Sequence, residues 1–208
     1  MEPMENQSWV EHDLKKLDVC FEAIKEARKY PDAQTAWDAW TSADELIWTL
    51  LKLRANPDQM ILCCCELVEP VLEPMFHEIN NATEKKNYLG AFNAVRDWAT
   101  NPTRENFKRV DYFYDDVVGW TWPDRRPIAA YTGKAVEKLV LAVERPHKLL
   151  DLPDAVKSAV HYILRDGWMQ PVVPGIANID LTQSQYEKWQ CDTVRRSFPI
   201  TPFIKAYR

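Results

Sequence analysis

His77 and Glu78 open the segment HEINN, which differs at one position from the H-E-x-x-H pattern of zinc-binding helices. In that pattern two imidazoles lie one helical turn apart and bind the same ion, with the glutamate as general base. Here the second histidine position is occupied by Asn81. The zinc motif is therefore incomplete, and we expect His77 to be a partly exposed helix residue.

Consecutive cysteines at positions 63, 64 and 65 are a second candidate for metal or redox chemistry. Neighbouring side chains on a helix point about 100° apart, so three of them cannot surround one tetrahedral ion. The C-x-x-C spacing of zinc sites is absent from the sequence. Cys20 and Cys191 complete an odd set of five, which does not suit a disulfide framework. We expect buried thiols that pack as small apolar side chains.

Two groups of carboxylates are a candidate for magnesium chemistry. Glu66-x-x-Glu69 is similar to half of the set with which all-α nucleotide pyrophosphatases hold Mg²⁺, but the usual second half, E-x-x-D, is absent. Asp115 and Asp116 are the available substitute. A magnesium-dependent nucleotide hydrolase is therefore an alternative hypothesis that requires all four carboxylates to converge, while a solvated helix face is the favoured interpretation.

Tryptophan is unusually frequent, with nine in the chain. Trp37, Trp40 and Trp48 recur at helical spacing with Asp44 between them, a pattern typical of a buried helix face. Tryptophan is also the residue most enriched at the hot spots of protein interfaces. We favour a core position for these side chains and keep the four residues as a second candidate contact patch.

A second group of aromatic residues falls in a proline-bounded segment, 120–127. Trp120 and Trp122 stand there beside Asp124, Arg125 and Arg126. Aromatic and arginine side chains dominate interface hot spots, and loops commonly carry binding residues. We predict that these five residues, named here the loop patch, contact a partner protein.

Helices must position most of these residues, because apolar side chains recur at steps of three and four along most of the chain. Asn56-Pro57 predicts a helix start. The capping patterns at Thr41 and Ser42 predict two short helices that meet near Thr41. Pro70 and Pro74 are expected to kink or divide the helix that carries the cysteines.

The number and spacing of these elements predict an all-α fold. We expect a bundle or stacked helical hairpins of about seven to eight helices with a Pro-rich C-terminal tail. The 208 residues are enough for a substantial core, and no Gly/Ser-rich linker divides them. The sequence therefore indicates a single domain over 1–208, with a helical core over 1–119 and an elaboration and tail over 120–208.

Charge and composition exclude several classes of protein. The net charge of −5 and the scattered basic pairs disfavour nucleic-acid binding, which needs clustered cations. No apolar run approaches the roughly 18 residues of a membrane helix, and the N-terminus lacks the apolar segment of a signal peptide. The sequence holds no G-x-S-x-G, P-loop or dinucleotide motif. We expect a cytoplasmic protein without catalytic activity, metal or cofactor.

Two segments carry a resemblance to a known family. The first consists of Ala36-Trp37-x-Ala39-Trp40 and Ala43-Asp44-x-Leu46-Ile47-Trp48-x-Leu50-Leu51, followed by the Cys-rich helix from Met60. The second is Ala91-Phe92-Asn93-Ala94-Val95-Arg96-Asp97-Trp98-Ala99. Over about residues 33–110 the chain resembles the Imm-5-like family of immunity proteins, which are small helical proteins of bacteria and their phages. The residues after Gly119 are not matched.

The resemblance implies a protein that neutralises a toxin or a defence component by binding it. Our first hypothesis is therefore a non-catalytic protein-binding protein of immunity or phage–host conflict, with a homo-oligomer left open. The magnesium-dependent hydrolase is the second hypothesis. A third is a structural or assembly factor whose tail, Phe198 to Arg208, docks on a neighbouring subunit.

Overall fold

A computed structural model of the chain describes residues 21–119, 127–158 and 183–199. All regular secondary structure in these ranges is helical, which confirms the predicted all-α fold. The α-helices are α1 (Phe21–Ala27), α2 (Ala33–Ala39), α3 (Ala43–Lys52), α4 (Pro57–Glu78), α5 (Ala82–Thr100), α6 (Arg104–Tyr112), α7 (Tyr114–Val117), α8 (Pro127–Glu144), α9 (152–158) and α10 (Gln183–Ser197). A 3₁₀ helix, Pro146–Asp151, precedes α9. The predicted tail falls almost wholly outside the described residues.

Asparagine side chains begin the two long helices α4 and α5. The Asn56 side-chain oxygen accepts from the backbone N–H of Asp58 at 2.9 Å and of Gln59 at 3.0 Å, as the Asn56-Pro57 pattern predicts. Asn81 starts α5 in the same way. Since α4 ends at Glu78, position 81 lies beyond the helix that carries His77, at the N-cap of α5, and the H-E-x-x-H geometry cannot form. His77 is an exposed helix residue, as predicted.

The predicted break near Thr41 is present between α2 and α3. The expected capping boxes are wrong in detail. Ser42 occupies the N-cap of α3, but its hydroxyl donates to the Asp44 carboxylate and caps no backbone N–H. Asp44 is thereby held at the first turn of α3, where a negative charge is favoured by the helix dipole.

Helix α4 runs without interruption through Pro70 and Pro74, so the expected division of this helix does not occur. A proline inside a helix removes one backbone hydrogen bond. Both prolines lie on the buried face of α4, together with Val68, Val71 and Met75. Packing of this face against α5 and α8 therefore maintains the helix where the backbone bonds are missing.

Buried side chains from nearly every helix form one hydrophobic core. Helix α4 packs against α5, α8 and α10 within it. Helices from both predicted parts of the chain, 1–119 and 120–208, contribute to this core. Within the described ranges, no helix combines the length and the apolar character needed to cross a bilayer.

The chain that follows α5 forms two consecutive short helices, α6 and α7, with a break between them. The break falls at Phe113, whose ring lies over Gly90 in the middle of α5. A Cβ atom added at Gly90 would lie 2.7 Å from Phe113 Cε1, far inside van der Waals contact. Because Gly90 has no Cβ atom, the Phe113 ring can pack directly against the backbone of α5.

The thiols of Cys63, Cys64 and Cys65 are buried on α4, as predicted, and Cys191 is buried on α10. Burial raises the pKa of the Cys63 thiol to about 12 and that of Cys191 to about 11. It also raises the pKa of Cys64 and Cys65. A thiol is nucleophilic only as the thiolate, so the native structure holds these four groups in the unreactive form.

We expect these four thiols to react with Ellman's reagent at pH 8 at least about a hundredfold more slowly in the native protein than in guanidinium chloride. The measurement uses a Cys20→Ser variant, so that only the four buried thiols are counted, because Cys20 lies outside the described residues. Rapid modification of one thiol or more in the native protein would contradict the buried arrangement.

Candidate functional site

The loop patch, Trp120, Trp122, Asp124, Arg125 and Arg126, lies outside the described residues. Its role in partner binding stays a prediction from the sequence. The second predicted patch, by contrast, lies entirely within the described residues. Its geometry can therefore be built up from the helices that carry it.

The four carboxylates of the hydrolase hypothesis are not brought together. Glu66 pairs with Arg196 of α10 at 3.3 Å, and Glu69 pairs with Arg96 of α5 at 2.7 Å. Asp115 and Asp116 are exposed on the short helix α7. Among the described residues, no group of three or more acidic, histidine or cysteine side chains is placed to hold a metal ion.

A pocket of about 580 Å³ opens beside the α2–α3 link. This volume falls within the usual range for small-ligand sites. We name it the tryptophan pocket; its walls come from the end of α1, the α2–α3 link, α3 and the start of α9. The lining residues are Glu26, Tyr30, Ala39, Trp40, Thr41, Asp44, Glu45, Trp48, Thr49, Pro153 and Asp154.

The predicted patch divides between this pocket and the core. Trp37 is 1% exposed and belongs to the core, so it is not available to a partner. Trp40, Asp44 and Trp48 all line the pocket. Trp40 is buried and Trp48 is half-buried, with the Lys52 ammonium 5.2 Å from the centroid of the Trp48 ring. The helical spacing groups these four residues but does not separate the core position of Trp37 from the pocket positions of the other three.

Carboxylates give the pocket its charge, since four of the described residues that line it are acidic and none of them is basic. Two of the four have a cation beside them: Glu26 pairs with Lys29, and Asp44 pairs with Lys157 of α9 at 2.7 Å. Glu45 and Asp154 make no ion pair within the described part of the chain. The pocket therefore carries negative charge that its neighbours only partly balance.

Glu45 is affected by its burial and by the charges around it. Its pKa is raised, first because burial penalises the charged form and then because Asp44 and Glu26 are nearby anions. Lys157 opposes the shift. Carboxylates on α1 and α3 thus act on one another across the pocket.

Arg195 of α10 holds the end of α2, which forms part of the pocket wall. Its guanidinium donates to the backbone carbonyl of Trp37 at 3.1 Å and 2.9 Å and also to the carbonyl of Trp40. The last carbonyls of a helix lack intrahelical donors and carry partial negative charge. Arg195 therefore caps α2 from a distant part of the chain and holds Trp40 at the pocket wall.

Sequence reasoning missed Glu26, Tyr30, Glu45 and the α9 residues Pro153 and Asp154. Glu45 and Trp48 lie one turn apart on α3, so helical periodicity placed Glu45 within reach of the patch. The contribution of α9 had no local signal, because Asp154 is more than 100 positions from α3. No protein-family model, curated protein or solved structure matches this chain.

Proposed function

We propose that this protein acts by binding another protein. In line with its resemblance to the Imm-5-like family over residues 33–110, we propose further that it neutralises a toxin or a defence component of bacteria or phages. The tryptophan pocket is the observation that supports a binding role best. It combines two tryptophans with acidic side chains on a scaffold fixed by the core.

The charge of the chain suits a basic partner. The net charge is −5, and four of the carboxylates lie together at the pocket. Complementary charge speeds association and suppresses wrong partners. A basic protein, such as a nuclease toxin, fits this pattern.

The test is affinity purification of the tagged full-length protein from a lysate of its source cells, read by quantitative mass spectrometry. We expect one stoichiometric partner that forms a 1:1 or oligomeric complex again from the two purified proteins. Co-expression of the chain should then suppress the toxicity of that partner. Recovery of the bait alone, with and without chemical cross-linking, would contradict the proposal.

Matched variants locate the contact surface. We expect the partner to be lost when Trp120 and Trp122 are both replaced by Ala, or when Trp48→Ala alters the pocket. Glu73→Gln is the control, because Glu73 is exposed on α4 and does not line the pocket. Circular dichroism of each variant confirms that its helices are intact.

A further inference from the structure

The chemistry of the tryptophan pocket identifies the kind of group that it accepts. Glu26 and Asp44 have lysine partners. Glu45 and Asp154 make no ion pair in the described ranges and share the more distant attraction of Lys157, which pairs with Asp44. These two carboxylates come from different helices, α3 and α9, and border the same cavity. An entering cation would gain attraction from both, and an entering anion would be repelled.

The aromatic walls favour an organic cation over a hydrated metal ion. A cation over the face of a tryptophan ring is attracted by the ring's negative face, and an alkyl stem packs well against the same surface. Trp48 already accepts such a contact on one side, from Lys52. Trp40 and Tyr30 add further aromatic surface at the pocket.

Trp40 provides a separate indication. It is 8% exposed, and its indole Nε1–H is buried without a hydrogen-bond partner. Of the described side chains with a buried, unpaired polar atom, only Trp40 lines this pocket. A buried donor without a partner is unfavourable, because folding removes its hydrogen bond to water and supplies no replacement. A ligand that pairs this donor must carry a hydrogen-bond acceptor, which a peptide carbonyl supplies and a fully protonated polyamine does not.

We infer that the tryptophan pocket binds a lysine or arginine side chain from a peptide segment of the partner protein. The cationic head lies near Glu45 and Asp154, the stem packs against Trp40 and Trp48, and a backbone carbonyl of the segment accepts from Trp40 after a small shift of the ring. This inference rests on the proposed function, because it assigns the basic segment to the protein that is bound.

Isothermal titration calorimetry and tryptophan fluorescence of the full-length protein test it. The probes are acetyl-Gly-Arg-Gly-amide, its lysine counterpart, its citrulline counterpart and spermidine, each at low and at moderate salt. We expect 1:1 binding of the two basic peptides, at least tenfold weaker binding of the neutral citrulline peptide, and weakening by salt. The fluorescence should change on binding, because Trp40 and Trp48 border the ligand.

A double variant that replaces two pocket carboxylates by amides, together with a control variant, decides whether the binding occurs at this pocket. Glu45→Gln combined with Asp154→Asn should weaken the basic peptides at least tenfold, while the exposed-site control Glu73→Gln leaves their affinity unchanged. Equal binding by the double variant and the control would overturn the inference, as would binding of spermidine without either basic peptide. No heat or fluorescence change with any probe at millimolar concentration would overturn it as well.

The inference and the proposed function can fail separately. A partner that is captured equally by the wild type and by the Glu45→Gln, Asp154→Asn variant overturns the inference and supports the proposed function. Specific peptide binding by a chain that captures no protein supports the inference about the pocket chemistry and overturns the proposed function.

Discussion

Replacing Arg195 by methionine is expected to lower the free energy of unfolding by about 2–3 kcal/mol. The side chain is 20% exposed, and its guanidinium donates to the carbonyls of Trp37 and Trp40. Methionine keeps much of the aliphatic stem but offers no donor, so two carbonyls at the end of α2 lose their partner. Urea unfolding followed by circular dichroism measures the change.

Arg196 is the matched control, because it is the next residue on α10. Its side chain is 66% exposed and pairs with the exposed Glu66. Exposed ion pairs contribute little, so Arg196→Met should change the free energy of unfolding by less than about 0.5 kcal/mol. Arg195→Lys should be intermediate, since lysine keeps the charge but not the planar set of donors. Equal effects at positions 195 and 196 would contradict the capping role.

Gly90→Ala is expected to destabilise the protein by about 1–3 kcal/mol. On helix propensity alone the substitution would stabilise α5 by about 1 kcal/mol. The added methyl group, however, would enter the space occupied by the Phe113 ring. The ring must leave its position, and its packing is lost.

The double variant tests this explanation. In a Phe113→Ala background the space over position 90 is open, so Gly90→Ala should stabilise the protein by about 0.5–1 kcal/mol. The sign of the substitution therefore reverses between the two backgrounds. Lys86→Ala, at an exposed position of the same helix, is the control and should change stability by less than about 0.5 kcal/mol in both. A destabilising Gly90→Ala in the Phe113→Ala background would contradict the steric explanation.

Local chemistry made part of the fold predictable from the sequence. Asn56 caps α4 because its side chain accepts from the backbone N–H groups two and three residues later. The donors and the acceptor are therefore neighbours in the sequence, so the cap can be predicted from it. The break between α2 and α3 has a similar local cause. The continuity of α4 through Pro70 and Pro74 was not predictable in this way, because packing partners far along the chain maintain it.

The candidate site also combines features that the local sequence predicts with features that depend on distant contacts. The α3 part of the pocket follows from helical spacing, which brings Asp44 and Trp48 to one face. The α9 wall and the cap from Arg195 depend on contacts across long stretches of chain. The hydrogen bond from Arg195 to Trp37 spans 158 positions, and the ion pair of Lys157 with Asp44 spans 113. Periodicity carries no information about which helices meet over such separations.

The cap on α2 also imposes an order on synthesis. A ribosome adds about 5–20 residues per second, so Trp40 precedes Arg195 by roughly ten to thirty seconds. During that interval the α2 carbonyls lack their donor, and the apolar surfaces of α3 and α4 await α10. Nascent chains therefore present these surfaces to chaperones and proteases until α10 emerges. Chains that terminate before Arg195 should be degraded, so that the carbonyls of Trp37 and Trp40 are capped only in chains that include α10.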